Sequence, residues 1–127
     1  MTKKVFGKAN MNVAGTTFED RQKKLHALRQ AESAYITLRR DTKNENDKNA
    51  IAVIAHATSK KGKLFHMCIG YIPKNKAIWM AKAMDEGKCV RVASYKVVGG
   101  GKVNLGVELH IVHELFEKEV APATEQA

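Results

Sequence analysis

The sequence predicts a mainly β domain, a small, closed or partly closed β-barrel into which two short helices are inserted. Two observations predict this fold class. Several short runs alternate apolar with polar side chains, which is the period of a half-buried strand. Only two longer segments carry the start and stop signals of helices. The 127 residues fit one domain, and a hydrophobic content of 44% is enough for one core.

The first half of the chain is predicted to run β-α-β-β. A capping box, with Thr17 as N-cap and Asp20 reaching back, begins a helix that extends to about Arg29. On that helix Arg21, Leu25 and Leu28 share one face. The predicted strands of this half are residues 11–15, 33–41 and 50–57.

The second half is predicted to run β-α-β-β. Pro73 suits the first turn of a helix that continues to about Glu86, and Gly87 ends it. Three consecutive glycines, residues 99–101, predict a hairpin turn between the last two strands. The predicted strands of this half are residues 63–71, 88–98 and 103–113. The complete order is β-α-β-β-β-α-β-β, with an N-terminal arm at 1–10, one domain at 11–113 and a partly disordered tail at 114–127.

The charge of the chain favours an anionic partner. Net charge is +9, from 22 basic and 13 acidic residues, which suggests nucleic acid before acidic proteins or lipid headgroups. No run approaches the roughly 18 apolar residues of a membrane span, and no apolar segment follows the basic start. We therefore expect a cytoplasmic protein without membrane contact. Barrels of the OB type hold single-stranded nucleic acid on an outer strand face and its adjoining loops.

Cysteine and histidine provide no sign of a metal site. Cys68 and Cys89 lie in apolar runs without a CxxC pair, so buried free thiols are expected. His110 and His113 are three residues apart on a predicted strand and point to opposite faces. We expect no metal, no cofactor and no disulfide.

The polar loop at residues 41–49 is the most informative segment of the chain. It is rich in Asn, Asp and Lys, contains neither Gly nor Pro, and joins two alternating runs. Asn and Asp shape such loops by hydrogen-bonding nearby backbone groups. The loop also concentrates donors, acceptors and both signs of charge. It is therefore either an ordinary hairpin connection or a binding loop.

Several segments together resemble the HIRAN domain family, and their order and spacing agree over roughly residues 11–113. The matching pieces are Gly15-Thr16-Thr17-Phe18-Glu19-Asp20-Arg21-Gln22, Leu38-Arg39-Arg40-Asp41, Asn44 with Asp47, Asn49-Ala50-Ile51-Ala52-Val53, Ile69-Gly70-Tyr71-Ile72-Pro73-Lys74, Ala77, and Asp85-Glu86-Gly87. HIRAN domains are OB-like barrels, found fused to helicase-like ATPases and as stand-alone bacterial and phage proteins. The resemblance implies DNA binding. The best-understood relative, in the helicase-like transcription factor, captures the 3′-hydroxyl end of single-stranded DNA.

The resemblance assigns roles to four residues. Asp47 matches the acidic position that accepts a hydrogen bond from the terminal 3′-hydroxyl, and Asn44 matches a polar position on the terminal nucleotide. For both, a local loop bond to the backbone is the alternative. Phe18 matches an aromatic that stacks on a base, unless it is a core residue at the corner between strand and helix. Lys74 matches a basic residue on the phosphate backbone, unless it is simply solvated.

Two positions depart from the family pattern. Asn46 stands where the end-binding relative has a second stacking aromatic, and Thr17 stands where it has a basic residue. Loss of one base stack lowers the binding free energy by about 1–3 kcal/mol. Compensating contacts could come from Tyr35, Arg39, Arg40 or Tyr71, among which Tyr35 and Arg39 share the outward face of one strand by alternation. The DNA-binding residues predicted from the sequence are Phe18, Tyr35, Arg39, Arg40, Asn44, Asn46, Asp47, Tyr71 and Lys74.

The function predicted from the sequence is a non-catalytic module that binds single-stranded DNA with a preference for free 3′-hydroxyl ends, in DNA repair, replication or phage DNA metabolism. A helicase or nuclease encoded separately is an expected partner, in a bacterial or phage setting. The alternative is a protein-interaction or regulatory module whose basic face binds an acidic protein, with Trp79 as its anchor if that residue is exposed and not part of the core. An enzyme is disfavoured, because the sequence shows no P-loop and no nucleophile–base arrangement.

Overall fold

The computed structural model describes residues 4–101 and 103–115, which form six strands and two helices. The element order confirms the predicted β-α-β-β-β-α-β-β arrangement. In chain order the elements are β1 (Phe6–Asn12), α1 (Glu19–Gln30), β2 (Ser33–Arg40), β3 (Ile51–Thr58), β4 (Leu64–Tyr71), α2 (Lys74–Asp85), β5 (Val90–Gly100) and β6 (Val103–Glu114).

The strands form two antiparallel sheets of three strands each. The first sheet has the order β1-β6-β5 and the second the order β2-β3-β4. An isolated bridge joins the sheets where Ala14 N–H donates to the Tyr71 carbonyl at 2.7 Å and Tyr71 N–H donates back at 3.0 Å. At the other edge β5 lies beside β2, but in the described part of the chain no ladder connects them. The mainly β, OB-like fold is therefore confirmed, and its barrel is open rather than closed.

The core lies between the two sheets and is filled by the apolar members of the alternating runs. Val53, Ile69, Leu109 and Ile111 are almost completely buried. Leu109 and Ile111 belong to β6, in which every second side chain points inward, as the period of the sequence predicts. In β3 five consecutive residues are buried, and in β4 the register shifts between Cys68 and Gly70, so strict alternation does not hold in these two strands. Leu25 and Leu28 of α1, with Ala77, Met80 and Ala81 of α2, cover the remaining core surface.

Two predictions about the start of the fold are wrong. The first strand is Phe6–Asn12, not residues 11–15, because β6 runs to Glu114 and offers pairing partners as far as Phe6. The N-cap of α1 is Phe18, not Thr17, and no side chain caps it. The Phe18 carbonyl instead accepts the Arg21 N–H at 2.8 Å, so the helix begins one residue later than the predicted capping box requires.

The structure also decides how far the two cysteines and Trp79 are exposed. Both thiols are free, but Cys68 is half-buried and Cys89 is exposed, so the prediction of two buried thiols is wrong. Trp79 is half-buried, with its ring 4.6 Å from the His113 ring, and is no exposed anchor. No helix in the described ranges is long and apolar enough to cross a membrane. Residues 116–127 of the predicted tail lie outside the described residues.

Candidate nucleic-acid interface

The side chains on the side of the second sheet opposite the core cluster are called here the outer face, in whose middle Ala52 and Ile54 are buried. The pairing register puts Arg39, Ala52 and Tyr71 side by side at the end next to the 41–49 loop, and Tyr35, His56 and His66 at the other end. The register assigns no Asp or Glu to this face. Its members are Ser33, Tyr35, Thr37, Arg39, Ala52, Ile54, His56, Thr58, Leu64, His66, Cys68 and Tyr71.

At the loop end, a cation lies between two aromatic rings. The Arg21 guanidinium carbon is 5.1 Å from the centre of the Phe18 ring and 5.5 Å from that of the Tyr71 ring. Its Nη1 donates to the Gly15 carbonyl at 2.9 Å. Gly15 has a φ of +76°, and a Cβ at that position would lie 2.5 Å from Arg21 Nη1, so the turn requires glycine. The Phe18 ring is 67% exposed, which excludes the core reading and leaves a ring face open to a base.

A hydrogen bond joins this ring stack to the polar loop. The Tyr71 hydroxyl donates to Oδ2 of Asp41, the first loop residue, at 2.8 Å. The hydrogen bond to Asp41, and to a lesser extent burial, raises the pKa of Tyr71 above its usual value. The hydroxyl is therefore protonated at neutral pH and donates this bond. Phe18, Arg21, Tyr71 and the loop therefore form one connected site.

Side chains inside the loop hold its backbone in a fixed shape. Asn44 Oδ1 accepts the N–H of Asn46 at 2.9 Å and of Asp47 at 3.1 Å, and Asp47 Oδ1 accepts the Asn49 N–H at 2.9 Å. The other Asp47 oxygen, Oδ2, has no hydrogen bond within the described ranges. Asp47 therefore has the predicted local loop bond and still has one free acceptor. The Asn46 side chain is exposed beside it.

Arg40 donates hydrogen bonds to the loop backbone, so few of its N–H groups remain for a ligand. Its guanidinium donates to the Lys48 carbonyl at 3.0 Å and the Ala50 carbonyl at 2.8 Å. It also pairs with the Asp85 carboxylate at 2.9 Å, and this hydrogen bond lowers the pKa of Asp85. The structure thus places Arg40 on the inner side of the loop.

Two exposed cations flank the site. Arg39 lies on the outer face, two residues before Asp41, and Lys74 is the first residue of α2, three residues after Tyr71. Neither forms an ion pair or side-chain hydrogen bond with any residue that the structure describes. Lys74 also sits at a helix N-terminus, where backbone N–H groups and the helix dipole attract anions. Both are available to phosphate groups.

Tyr35 is not brought together with the loop residues. It is four residues before Arg39 on β2, which corresponds to about 14 Å at 3.4 Å per residue. Its ring stacks on His56, with centroids 4.6 Å apart and planes 10° apart. Of the predicted residues, the structure gathers Phe18, Asn44, Asn46, Asp47 and Tyr71 around the loop, with Arg39 and Lys74 beside them, and leaves Tyr35 at the far end.

Sequence reasoning missed Arg21 and Asp41 as members of the site. Arg21 follows Phe18 by three residues, a spacing that places both on one side of a helix start. Because Arg21 was predicted to share a helix face with Leu25 and Leu28, its contact with Phe18 was not expected. Nothing local pointed to the Tyr71–Asp41 bond, because 30 residues separate its partners.

Comparison with known proteins identifies one family. A family model described as the HIRAN domain matches residues 6–115, from the first residue of β1 to just beyond the end of β6. No curated protein and no solved structure matches the chain.

Proposed function

Because this chain belongs to the HIRAN domain family, a family of DNA-binding modules, we propose that it binds single-stranded DNA with a preference for a free 3′-hydroxyl end. The observation that carries the proposal is Asp47. One of its carboxylate oxygens fixes the loop, and the other accepts no hydrogen bond from the described residues. A rigid loop with one unused anionic acceptor suits a hydroxyl donor.

The chemistry of Asp47 favours one kind of DNA end. A 3′-hydroxyl can donate to the free carboxylate oxygen, and hydrogen bonds to charged groups contribute about 1.5–3 kcal/mol. A 3′-phosphate or a continuing strand instead brings a negative charge against that carboxylate, which is repulsive. Asp47 therefore selects through both attraction and repulsion.

Affinity comes from the groups around Asp47. The exposed ring of Phe18 stacks on a base, a contact worth about 1–3 kcal/mol for any sequence. Arg39 and Lys74 bind phosphates, so binding weakens as salt rises. Arg21 takes the place of the basic residue that Thr17 does not supply, since it lies against the same Phe18 ring. Asn46 leaves the second stacking position empty.

The alternative of a protein-interaction module depended on an exposed Trp79. Trp79 packs against His113 and the core, so the anchor on which that alternative depended is not exposed. The single-strand proposal is the one that the loop, the ring stack and the unpaired cations support together.

The test is fluorescence anisotropy with one short single-stranded DNA in three forms: 3′-hydroxyl, 3′-phosphate and circular. The wild type should bind the hydroxyl form roughly 10-fold more tightly than the phosphate form, the effect of about 1.4 kcal/mol. In Asp47→Asn, an isosteric change that keeps an oxygen for the loop bond, this ratio should fall close to one.

Glu45→Gln is the matched control, because it removes the same charge from an exposed residue of the same loop. It should leave the hydroxyl preference unchanged. Equal wild-type binding to all three forms would reduce the proposal to a general single-strand binder. Binding to none of them at low salt would refute it.

A further inference from the structure

The end of the outer face that is remote from the loop holds a cluster of rings that the end-binding site does not use. Tyr35 is 61% exposed and stacks on His56. The His66 ring meets His56 edge-on, at 4.7 Å between centroids. Leu64, 70% exposed, lies on the same face two residues from His66 along β4. Contiguous exposed aromatic and aliphatic surface of this kind is a feature of binding sites.

We infer that this ring cluster is a second base-stacking surface of the same interface, which holds the nucleotides on the 5′ side of the captured end. The inference rests on the proposed function, since it takes the strand to start at Asp47. It adds a site about 14 Å from Arg39 and about 20 Å from Asp41, the first loop residue, and therefore a minimum length for the bound DNA.

The path between the two sites suits a DNA strand. Arg39 and Thr37 follow one another along β2 between the loop and Tyr35, both exposed, and Arg39 has no partner among the described residues. The register assigns no acidic side chain to this path. A stacked strand advances about 3.4 Å per nucleotide, so about six nucleotides cover the 20 Å between Asp41 and Tyr35, and fewer suffice if the strand is extended.

The cluster is held in the orientation that stacking needs. His56 Nε2 lies 2.7 Å from Thr37 Oγ1, and its Nδ1 lies 2.6 Å from His66 Nδ1. These two contacts fix the plane of the imidazole, and the imidazole in turn supports one face of the Tyr35 ring. The other face of the ring is left for a base, and a pre-oriented ring loses little conformational freedom on binding.

The experiment compares two lengths of oligothymidylate, a trimer and an octamer, both with a free 3′-hydroxyl. The octamer should bind the wild type more tightly than the trimer. Tyr35→Ala should weaken octamer binding about 5- to 10-fold, the effect of losing one base stack, and should leave trimer binding unchanged. Tyr35→Phe keeps the ring and should bind the octamer like the wild type.

Phe6→Ala is the matched control, because it removes an aromatic that is 46% exposed on β1 of the first sheet. It should change neither affinity. Thermal melting of Tyr35→Ala should match the wild type, since the ring removed is mostly exposed.

An octamer that lacks the fourth to sixth bases from its 3′ end gives an independent check. It should bind the wild type as weakly as the intact octamer binds Tyr35→Ala, and the two changes together should cost no more than either alone. Loss of trimer and octamer binding in equal proportion in Tyr35→Ala, or loss of neither, would overturn the inference while the end-binding proposal stands. Failure of the wild type to bind either oligomer would overturn both.

Discussion

The two ends of the outer face offer a ligand different chemistry. At the loop end, charged and polar groups are held in place by hydrogen bonds, and the unused acceptor of Asp47 is surrounded by fixed neighbours. At the other end, the Tyr35 ring is largely exposed and stacks on the ring of His56. Recognition of one chemical group at a strand end needs fixed polar groups, whereas affinity for any base needs only flat rings.

The largest expected effect is a loss of stability on replacing Arg40, which the adjacent Arg39 should not show. Arg40→Ala removes the donors that hold the Lys48 and Ala50 carbonyls, so it should lower the free energy of unfolding by about 2 kcal/mol. The pair with the exposed Asp85 adds little to this figure. Because the loop loses its support, the preference for 3′-hydroxyl over 3′-phosphate should fall as well. Urea denaturation and the anisotropy ratio measure the two effects.

Arg39→Ala is the matched comparison, with the same change of residue one position away. Its side chain is exposed and has no partner that the structure describes, so stability should change by no more than about 0.5 kcal/mol. Affinity for DNA should nevertheless fall, for all forms of the end alike. If both variants lost the same stability, the conclusion that Arg40 supports the loop while Arg39 binds DNA would be wrong.

A smaller effect is expected from the cation between the two rings. Arg21→Gln removes one positive charge next to Phe18 and should weaken single-strand binding about 5-fold at low salt. If Arg21 neutralises one phosphate, the slope of log affinity against log salt should become shallower by about 0.7. Binding titrations at several salt concentrations give the slope.

Lys23→Gln removes the same charge from an exposed position of the same helix and serves as the control. It should leave the slope close to that of the wild type. If the slopes of Arg21→Gln and the wild type agreed, Arg21 would be a spacer between the Phe18 and Tyr71 rings rather than a phosphate ligand.

Local patterns predicted the elements of this fold well. Alternation is a property of neighbouring residues, and it located β2, β3 and β4 to within one residue at each end. It also put Arg39 and Tyr35 correctly on one outward face. The start of β1 could not be predicted in this way, because it depends on how far β6 extends, and β6 is a hundred residues away.

Only those interactions of the site that join residues close in sequence could be predicted. The loop bonds of Asn44 and Asp47 span two or three residues, and the composition of the loop indicated them. Arg39 and Arg40 are the same residue type in the same segment, and only the fold shows that Arg40 is engaged with two carbonyls. The Tyr71–Asp41 bond and the cation between the rings likewise depend on contacts between distant segments.

The smallest expected effect is a pH dependence confined to the ring end of the face. Burial, and then repulsion from His66, hold the pKa of His56 below its usual value of 6.5. Below pH 6.5 the unfolded chain therefore binds more protons at this residue than the folded one. The contribution of His56 to stability is complete above pH 6.5 and is lost as the pH falls towards its folded pKa. An NMR titration should place the midpoint of His56 below 6.5.

His66→Gln tests the cause of that shift. It removes the repulsive neighbour but leaves the Tyr35 stack and the Thr37 contact, so the midpoint of His56 should rise, while burial still keeps it below 6.5. His56→Gln should make unfolding free energy less dependent on pH between 7 and 5, because the chain then loses one group that resists protonation. The loop end has no part in this effect, so the hydroxyl preference set by Asp47 should remain the same in both variants. A change in that preference would show that the two ends of the face are coupled rather than independent.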